Sequence, residues 1–301
     1  MSLERQRVTE TVSRFYRELP FNYEHTVEQA AQTIREQNQI ASAYPPLDEA
    51  LKQAKAEAIL DVGSGAGWFI NTAAYYYGVT ATGVDVCEPA LTRASAVAEQ
   101  LGLALRTQFV CEDLFALGQR SGIRPGAFAL VNSLGVLHHT HHCRQALEHI
   151  APFVAPGGFL HLGLYHAYGR RPFLELFEED VRAWRATDDG VRRQVIEERA
   201  FQRYRILQAS ITDEVLLRSW FRDQVLHPQE SQHTFHEVYG WLTALGLTCR
   251  ATSLNRFQAV SDWSSLFEEE KRWYAVSYQR NVRERTYFPG FFVVLAQRPL
   301  R

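Results

Sequence analysis

The fold of this chain is decided by the stretch Leu60–Gly67, which reads LDVGSGAG. Its glycines stand at alternate positions, where they allow a tight turn and a close approach of the backbone to a ligand. The apolar run Ala58–Val62 leads into them, and a helix-like segment follows them. This order predicts a strand, a glycine loop and a helix, the arrangement in which nucleotide-containing ligands bind at the start of the helix.

Short apolar runs continue to alternate with helix-like segments beyond this loop. They predict five strands joined by short connections and, after an interval, two more strands. This rhythm is typical of a doubly wound, Rossmann-like α/β fold with a seven-stranded, mostly parallel sheet. The predicted strands are Ala58–Val62, Val79–Val84, Leu105–Val110, Phe128–Asn132, Phe159–Leu164, Leu247–Leu254 and Phe291–Ala296.

Helix patterns divide the chain into four regions. Residues 1–50 are expected to form an N-terminal helical extension, and residues 51–164 the cofactor-binding core. A helical lid is predicted as an insertion over residues 165–233, after the fifth strand. Residues 234–301 complete the core, with an excursion at 255–289. Further predictions are helices over residues 3–19, 26–43, 67–77, 89–101 and 143–154, a turn over 156–158, and capping boxes at Thr26 and Thr234.

Composition and charge exclude several classes of protein. The chain has 301 residues, of which 46% are hydrophobic and 22% charged, as in ordinary globular proteins. The net charge of -2 argues against nucleic acid as a partner, and no apolar stretch is long enough to span a membrane. A cytoplasmic location is therefore expected. The four cysteines lie far apart without a C-x-x-C pair, which argues against a disulfide framework and a structural zinc site.

The residues around the glycine loop limit which ligands it can bind. Asp85 ends the second predicted strand, where a carboxylate can accept hydrogen bonds from ribose hydroxyl groups. The third glycine of a dinucleotide-binding motif would fall at position 68, which is Trp68. No Lys-Ser or Lys-Thr pair follows the loop, so it is not a P-loop either. An adenosine-type cofactor other than a dinucleotide is predicted.

The glycine loop also resembles the first motif of the class I S-adenosylmethionine-dependent methyltransferases. Four later segments resemble, in the expected order, the family's acidic second motif, its adenine-contacting segment, its motif after the fourth strand and its turn before the fifth. The extension and lid are similar, more loosely, to the helical caps of small-molecule methyltransferases such as those of quinone biosynthesis. The five segments are Asp61–Gly67, Gly83–Asp85, Cys111–Leu114, Asn132–His139 and Ala155–Gly158.

The resemblance implies S-adenosylmethionine as the cofactor and S-adenosylhomocysteine as its product. Among the residues it assigns, Asp85 would bind the ribose, Asp113 the adenine amino group, and Leu114 would flank the adenine ring. The loop glycines Gly63, Gly65 and Gly67 would approach the methionine portion. Further cofactor contacts are expected from Asp61, Ser64, Val86, Asn132 and Leu134.

Residues that act on the methyl acceptor are expected just after the fourth and fifth strands, because the pocket of such a sheet lies at the carboxyl ends of its strands. A histidine with a pKa near neutrality can deprotonate a hydroxyl or amine acceptor, and His138 and His166 are the predicted catalytic residues. The predicted substrate-binding residues are Tyr16, Tyr165, Tyr168, Arg170 and His233.

A segment rich in histidine and carboxylate, residues 227–237, raises the possibility of a metal ion. Its spacing fits neither a zincin motif nor a facial triad, and Thr234 and Glu237 are already assigned to a helix cap. No metal is therefore predicted.

The function predicted from the sequence is methyl transfer to an oxygen, nitrogen or carbon atom of a small organic acceptor. Two alternatives stay open. One is an RNA-modifying methyltransferase, against which the acidic charge balance and the absence of a basic domain argue. The other is a binding or regulatory protein with a methyltransferase fold that has lost transfer activity. The oligomeric state is not predicted.

Overall fold

A computed structural model describes residues 3–22, 26–54, 57–119 and 122–300. Its centre is one sheet of seven strands in the order β3-β2-β1-β4-β5-β7-β6. The first five strands run parallel, and β7 is antiparallel to both of its neighbours. The strands are β1 (Ala58–Val62), β2 (Thr80–Asp85), β3 (Thr107–Cys111), β4 (Phe128–Leu134), β5 (Val154–Tyr165), β6 (Thr248–Thr252) and β7 (Phe291–Gln297).

The predicted doubly wound, mostly parallel sheet is confirmed. Apart from β5, every strand begins and ends within two residues of its predicted limits. The prediction of a turn over residues 156–158 is wrong, because β5 already begins at Val154. The pairing with β4 shifts between Phe128 and Leu130, so that the Pro-Gly-Gly segment is accommodated as an irregularity inside the strand.

Helices cover both faces of the sheet and one of its ends. Within the described residues, no helix is both long and apolar enough to cross a membrane. The α-helices are α1 (Leu3–Glu18), α2 (Val27–Glu36), α3 (Gln39–Ala43), α4 (Pro45–Gln53), α5 (Trp68–Tyr77), α6 (Glu88–Gln100), α7 (Cys143–Ile150), α8 (Ala167–Glu175), α9 (Glu178–Ala186), α10 (Gly190–Leu207), α11 (Glu214–Phe221), α12 (Phe235–Ala244), α13 (Ser264–Glu269) and α14 (Trp273–Tyr278).

Short helical turns complete the chain. Five are 3-10 turns, and two are π turns that continue α11 and α14. The 3-10 turns are Leu114–Ala116, Leu137–His139, Ala151–Phe153, Ser253–Asn255 and Glu270–Arg272, and the π turns are Arg222–Leu226 and Gln279–Arg283. The helix predicted over residues 143–154 therefore ends early, since Pro152 cannot continue its hydrogen bonding.

The N-terminal extension contains one more break than predicted. The capping box at Thr26 is present, with Gln29, but the predicted helix over residues 26–43 is wrong. Gln37 has an extended backbone that ends α2, and the side chain of Asn38 accepts a hydrogen bond from the amide of Ala41, which starts α3. A short polar side chain that caps a new helix thus divides the predicted one in two.

The helices between β5 and β6 form their own apolar cluster. It joins α8 to α11 through buried aromatic rings, and Phe15 of α1 packs into it. The N-terminal helix α1 therefore packs directly against the helices inserted between β5 and β6. The buried members are Phe15, Phe173, Phe177, Ala200, Phe201, Tyr204, Leu207, Leu217, Phe221, Val225 and Leu226.

A buried carboxylate, Glu270, joins the excursion at 255–289 to the first turns of α8 and α12. Its oxygens accept hydrogen bonds from the backbone amides of Phe235 and His236 in the first turn of α12. They also accept one from the ring of His166, at 2.8 Å, and His166 itself caps α8. An anion at these helix starts is stabilised by the free amide groups and the helix dipole.

Glu270→Gln tests this arrangement. The side-chain amide cannot accept all three hydrogen bonds with charge assistance, so we expect the free energy of unfolding to fall by about 2 kcal/mol. Urea unfolding measures this change. Glu269→Gln alters an exposed neighbour and should stay within about 0.5 kcal/mol of the wild type. Equal stability of the two variants would contradict the assignment.

Candidate active site

A cavity of about 690 Å³ opens at the carboxyl ends of the parallel strands. It lies where the strand order reverses between β1 and β4, the position at which open α/β sheets bind their ligands. One wall is the glycine loop after β1, and another is the N-terminal helix α1. The ends of β4 and β5 and the last turns of α11 close the far side.

Two glycines of the loop have different roles: Gly65 borders the cavity, and Gly67 allows two helices to pack closely. Gly65 has a φ of 51°, and a Cβ added there would meet no atom within 4 Å, so its backbone borders open space at the cavity wall. Gly67 also has a positive φ, but its Cβ would lie 2.6 Å from the Cβ of Ala94 in α6. The expectation that Gly67 contacts the cofactor is therefore corrected: it lets α5 pack against α6 and does not line the cavity.

Asp85 holds the loop in place from the end of β2. Its Oδ2 accepts a hydrogen bond from the amide of Gly65 at 2.9 Å, and its Oδ1 accepts one from the amide of Cys87 at 2.8 Å. The side chain lines the cavity and retains lone pairs that ribose hydroxyl groups can use. Its position fits the predicted role.

A chain of buried polar side chains crosses the central strands beneath the loop. His161 donates to the Oδ1 of Asn132 at 2.7 Å, and the amide group of Asn132 donates to the Oδ1 of Asp61 at 2.7 Å. Burial raises the pKa of the Asp61 carboxyl to about 7, and the bond from Asn132 only partly opposes this. Asp61 and Asn132 both line the cavity.

The remaining predicted cofactor residues lie on the same cavity wall. Asp113 caps the turn that begins at Leu114 by accepting from the amide of Phe115, and its Oδ2 accepts from the hydroxyl of Thr9 in α1. The Oγ of Ser64 is buried without a hydrogen-bond partner and lies against Gly83 of β2, where an added Cβ would come within 2.8 Å of it, so this oxygen is not exposed to the cavity. Val86, Leu114 and Leu134 also line the cavity.

The opposite end of the cavity is built around Asp223, which sequence reasoning missed. Tyr16 of α1 donates to its Oδ1 at 2.6 Å, and the side-chain amide of Gln224 donates to its Oδ2 at 2.8 Å. The hydroxyl of Tyr165, at the end of β5, lies 3.4 Å from the same Oδ2. Tyr16 and Tyr165 thus line the cavity as predicted, and they do so together with a buried carboxylate.

Three histidine rings lie close together near this carboxylate. His139 lines the cavity, lies 4.0 Å from Asp223, and hydrogen-bonds through Nδ1 to the carbonyl of Gln229. The ring of His227 stacks on it with centroids 3.6 Å apart. Burial lowers the pKa of His138, His139 and His227, so the three rings are neutral at neutral pH.

Both predicted catalytic histidines are placed elsewhere. His138 is fully buried behind His139 and Tyr165, and its ring centroid lies 4.1 Å from that of Tyr165. His166 is fully buried between the start of α8 and Glu270. Neither lines the cavity, so the prediction of a catalytic role for either is corrected. Of the histidines after β4, it is His139 that reaches the cavity.

Three predicted substrate residues also fail to reach the cavity. Arg170 is fully buried and does not line the cavity; its guanidinium makes two hydrogen bonds to Glu230 and lies 3.7 Å from the ring centroid of Tyr165. The ring of Tyr168 lies near His166, and that of His233 packs on Trp241. These side chains support the wall and do not form it.

Three potential metal ligands come together in a way that sequence spacing did not reveal. One ligand atom each of His139, Asp223 and His227 lies within 4.8 Å of the other two. However, Nδ1 of His227 accepts a hydrogen bond from the amide of Gln229, which leaves the ring proton on Nε2. A ring in that state has no lone pair to give to a metal, so the hydrogen bonding favours an acid–base cluster.

Comparisons with known proteins agree with this geometry. Residues 59–158 match the family model described as a methyltransferase domain. The strand order and the cavity at its reversal point are those of the class that the sequence resembles. Over these residues the chain is similar to methyltransferase domains.

Relatives and solved structures extend the similarity beyond those residues. An uncharacterized protein of Synechococcus sp. is 26% identical over 287 residues, which cover 85% of this chain and 67% of that protein. The uncharacterized protein YjhP of Escherichia coli is 30% identical over 120 residues, or 40% of this chain and 46% of its own length. A putative sarcosine dimethylglycine methyltransferase from Galdieria sulphuraria has the same fold, with 10% identity, a TM-score of 0.52 and coverage of 96% of this chain and 98% of that one.

The different roles of Gly65 and Gly67 in the glycine loop can be tested with two alanine variants. Gly67→Ala should lower the free energy of unfolding by about 2–4 kcal/mol, because it adds both an overlap with Ala94 and backbone strain. Gly65→Ala meets no overlap and should cost about 1–2 kcal/mol, while it weakens binding of S-adenosylhomocysteine. Urea unfolding and calorimetric titration measure the two effects. A larger stability loss for Gly65→Ala would contradict this division.

Asp61 predicts a dependence of stability on pH. Its folded pKa of about 7 exceeds the value of about 3.9 in unfolded chains, so the folded state holds the proton more tightly and loses this advantage as pH rises. Relative to Asp61→Asn, the wild type should lose about 2 kcal/mol of unfolding free energy between about pH 5.5 and 7.5. Urea unfolding of both proteins at the two pH values measures it. If the unfolding free energies of the two proteins differed by the same amount at both pH values, the pKa of the Asp61 carboxyl would not be raised.

Proposed function

We propose that this protein transfers a methyl group from S-adenosylmethionine to an oxygen, nitrogen or carbon atom of a small organic acceptor. The observation that carries the proposal is a single cavity that joins two different ends. One end has the glycine loop with Asp85 and Asp113, and the other has Asp223 among aromatic side chains. A cofactor and a second reactant can therefore meet inside one cavity.

The residues at the first end fit an adenosine-type cofactor. Open space borders Gly65, and Asp85, which accepts a hydrogen bond from the amide of Gly65, keeps free lone pairs beside it. The sulfonium of S-adenosylmethionine supplies an electrophilic methyl group, and its departure as a neutral thioether needs no acid from the protein. The chain itself must therefore mainly position the acceptor and exclude water.

The N-terminal helix α1 contributes to both tasks. Val8, Thr9, Val12 and Tyr16 line the cavity on one face of this helix. Thr9 is bonded to Asp113 at the cofactor end, and Tyr16 to Asp223 at the acceptor end. One helix thus spans both ends of the cavity and covers it from solvent.

A proton released by an acceptor has nearby groups to receive it. Asp223 and His139 both line the cavity and lie 4.0 Å apart. Burial raises the pKa of Asp223, which makes its carboxylate a better proton acceptor than an exposed one. Burial keeps His139 neutral; its Nδ1 donates to the carbonyl of Gln229 and its Nε2 accepts from the Nε2 of His138 at 3.2 Å, so Asp223 is the group with a lone pair open to the acceptor's proton.

The cavity lining speaks against an RNA acceptor. Its described charged side chains are all acidic: Asp61, Asp85, Glu112, Asp113 and Asp223. A phosphate backbone requires neutralising lysine or arginine side chains along its path. A nuclease-treated cell extract that still supports formation of S-adenosylhomocysteine would exclude RNA, and failure of every extract to do so would favour the regulatory alternative.

Calorimetric titration of S-adenosylmethionine and S-adenosylhomocysteine tests the cofactor. Asp85→Ala removes the loop's anchor and the predicted ribose acceptor, so we expect binding to weaken at least about tenfold, or about 1.4 kcal/mol. Glu88→Ala changes an exposed acid at the start of α6 and should leave the affinity unchanged. Absence of binding to folded wild-type protein would overturn the proposal.

A further inference from the structure

We infer that the methyl acceptor is an amine that binds with a positive charge, its ammonium group facing Asp223 and its carbon substituents facing the aromatic rings of the same cavity. The inference rests on the methyl transfer proposed above and names the class of acceptor for that site. It depends on the charges, the hydrogen bonds and the rings at the Asp223 end of the cavity.

The first observation is the negative charge of the side chains that line the cavity. Its described lining contains five carboxylates and neither lysine nor arginine. Asp61, Asp85 and Asp113 belong to the end assigned to the cofactor, whereas Asp223 stands at the far end, beside Tyr165. An anionic acceptor would meet only repulsion in this space, whereas a cation would lower the cost of the buried charges.

The second observation is that Asp223 has no opposite charge of its own. The side chain is 5% exposed, and its described hydrogen-bond donors, Tyr16, Tyr165 and Gln224, are all neutral. The nearest basic side chain, His139, is kept neutral by burial. A buried carboxylate without a counter-charge is costly, and one at the wall of a cavity can be compensated by a bound cation.

The neighbouring arginine supplies only part of that counter-charge. Arg170 lies against the ring of Tyr165 and pairs with Glu230 through hydrogen bonds of 2.7 and 2.9 Å. Burial is the largest influence on the pKa of Asp223 and raises it; the charge of Arg170 lowers this pKa, the charge of Glu230 raises it, and the pKa stays raised.

The third observation is the aromatic surface around Asp223. Tyr16 and Tyr165 both lie within hydrogen-bond reach of the carboxylate, and the ring of Phe291 lies 6.0 Å from that of Tyr165. Trp220 and Tyr287 line the cavity with ring centroids 6.3 Å apart. The guanidinium of Arg170 and the ring of His138 already cover Tyr165, so the faces of the other rings are the ones that can attract an ammonium group and the methyl or methylene groups attached to it.

The carboxylate also has room for one more donor. A carboxylate offers about four lone-pair directions, and the three donors above occupy three of them. An N–H of a bound ammonium can donate to the fourth. When that proton passes to Asp223, the N–H bond breaks, an O–H bond forms, and the nitrogen keeps the electron pair that a nucleophile needs.

Three probes of the same shape test this inference by calorimetric titration. N,N-dimethylethanolamine is protonated at neutral pH, 3-methyl-1-butanol replaces its N–H⁺ by C–H, and 3-methylbutanoate carries a negative charge. S-adenosylhomocysteine is bound first, and EDTA is present so that no metal ion occupies Asp223. Burial raises the pKa of Asp223, so a pH of about 8 favours its ionised form more than neutral pH does, while the amine stays mostly protonated.

We expect the amine to bind at least about tenfold more tightly than the alcohol, and the carboxylate to bind most weakly. Asp223→Asn should reduce the preference to about twofold or less without changing affinity for S-adenosylhomocysteine. Asp180→Asn alters an equally buried carboxylate that pairs with Arg199 and Arg203 in the lid, and should leave the preference unchanged.

The outcomes separate this inference from the function on which it rests. If S-adenosylhomocysteine fails to bind folded protein, methyl transfer itself is overturned. If it binds, but the alcohol or the carboxylate binds as well as the amine, only the amine inference is overturned, as it also is if Asp223→Asn keeps the tenfold preference. Should Asp223→Asn fail to fold, Trp220→Leu takes its place, with an expected loss of amine affinity of about two- to tenfold and none for the alcohol.

Discussion

The reversal of strand order between β1 and β4 is the constraint on which the rest of this structure depends. The connections after these two neighbouring strands lead to opposite sides of the sheet, so they leave a crevice at the carboxyl ends. Asn132 and Asp61 bridge the two strands at the bottom of this crevice, and the bridge is buried. Everything placed above it must either bind a ligand or cover the opening. The glycine loop does the first, while α1 and the inserted helices do the second.

Burial of acidic groups follows from that cover. Asp61 and Asp223 are buried and Asp85 is partly buried, and burial raises the pKa of each carboxyl. The folded chain gives these groups neutral donors and no lysine or arginine partner among its described residues. A protein stabilised for its own sake would have replaced such groups by apolar ones. Their presence is better explained by ligands that carry positive charge or donate hydrogen bonds.

The parts of the molecule that sequence predicted are those encoded by neighbouring residues. Strands, the two capping boxes and the cofactor end of the cavity depend on contacts between residues close in the chain or on a motif read in order. The acceptor end depends on distant pairs: Tyr16 with Asp223 are 207 positions apart, and His166 with Glu270 are 104 apart. Position after a strand predicted that His138 and His166 would face the pocket. In the structure, both side chains are buried away from the cavity, and His139, which follows His138, lines the cavity instead.

The π turn at Arg222–Leu226 shows why Asp223 in particular was hidden from a reading of helical periodicity. In a regular α-helix, a polar residue between apolar ones is assigned to the solvent side. The wider turn that extends α11 adds a residue to the winding, and Asp223 and Gln224 both line the cavity as consecutive residues. Such local departures from the α-helix frequently occur at functional sites, because the strained winding is kept only where the surrounding structure needs it. Here the two side chains it turns inward are the acceptor-end carboxylate and the amide that hydrogen-bonds to it, so the irregularity of the helix and the chemistry of the cavity have one physical origin.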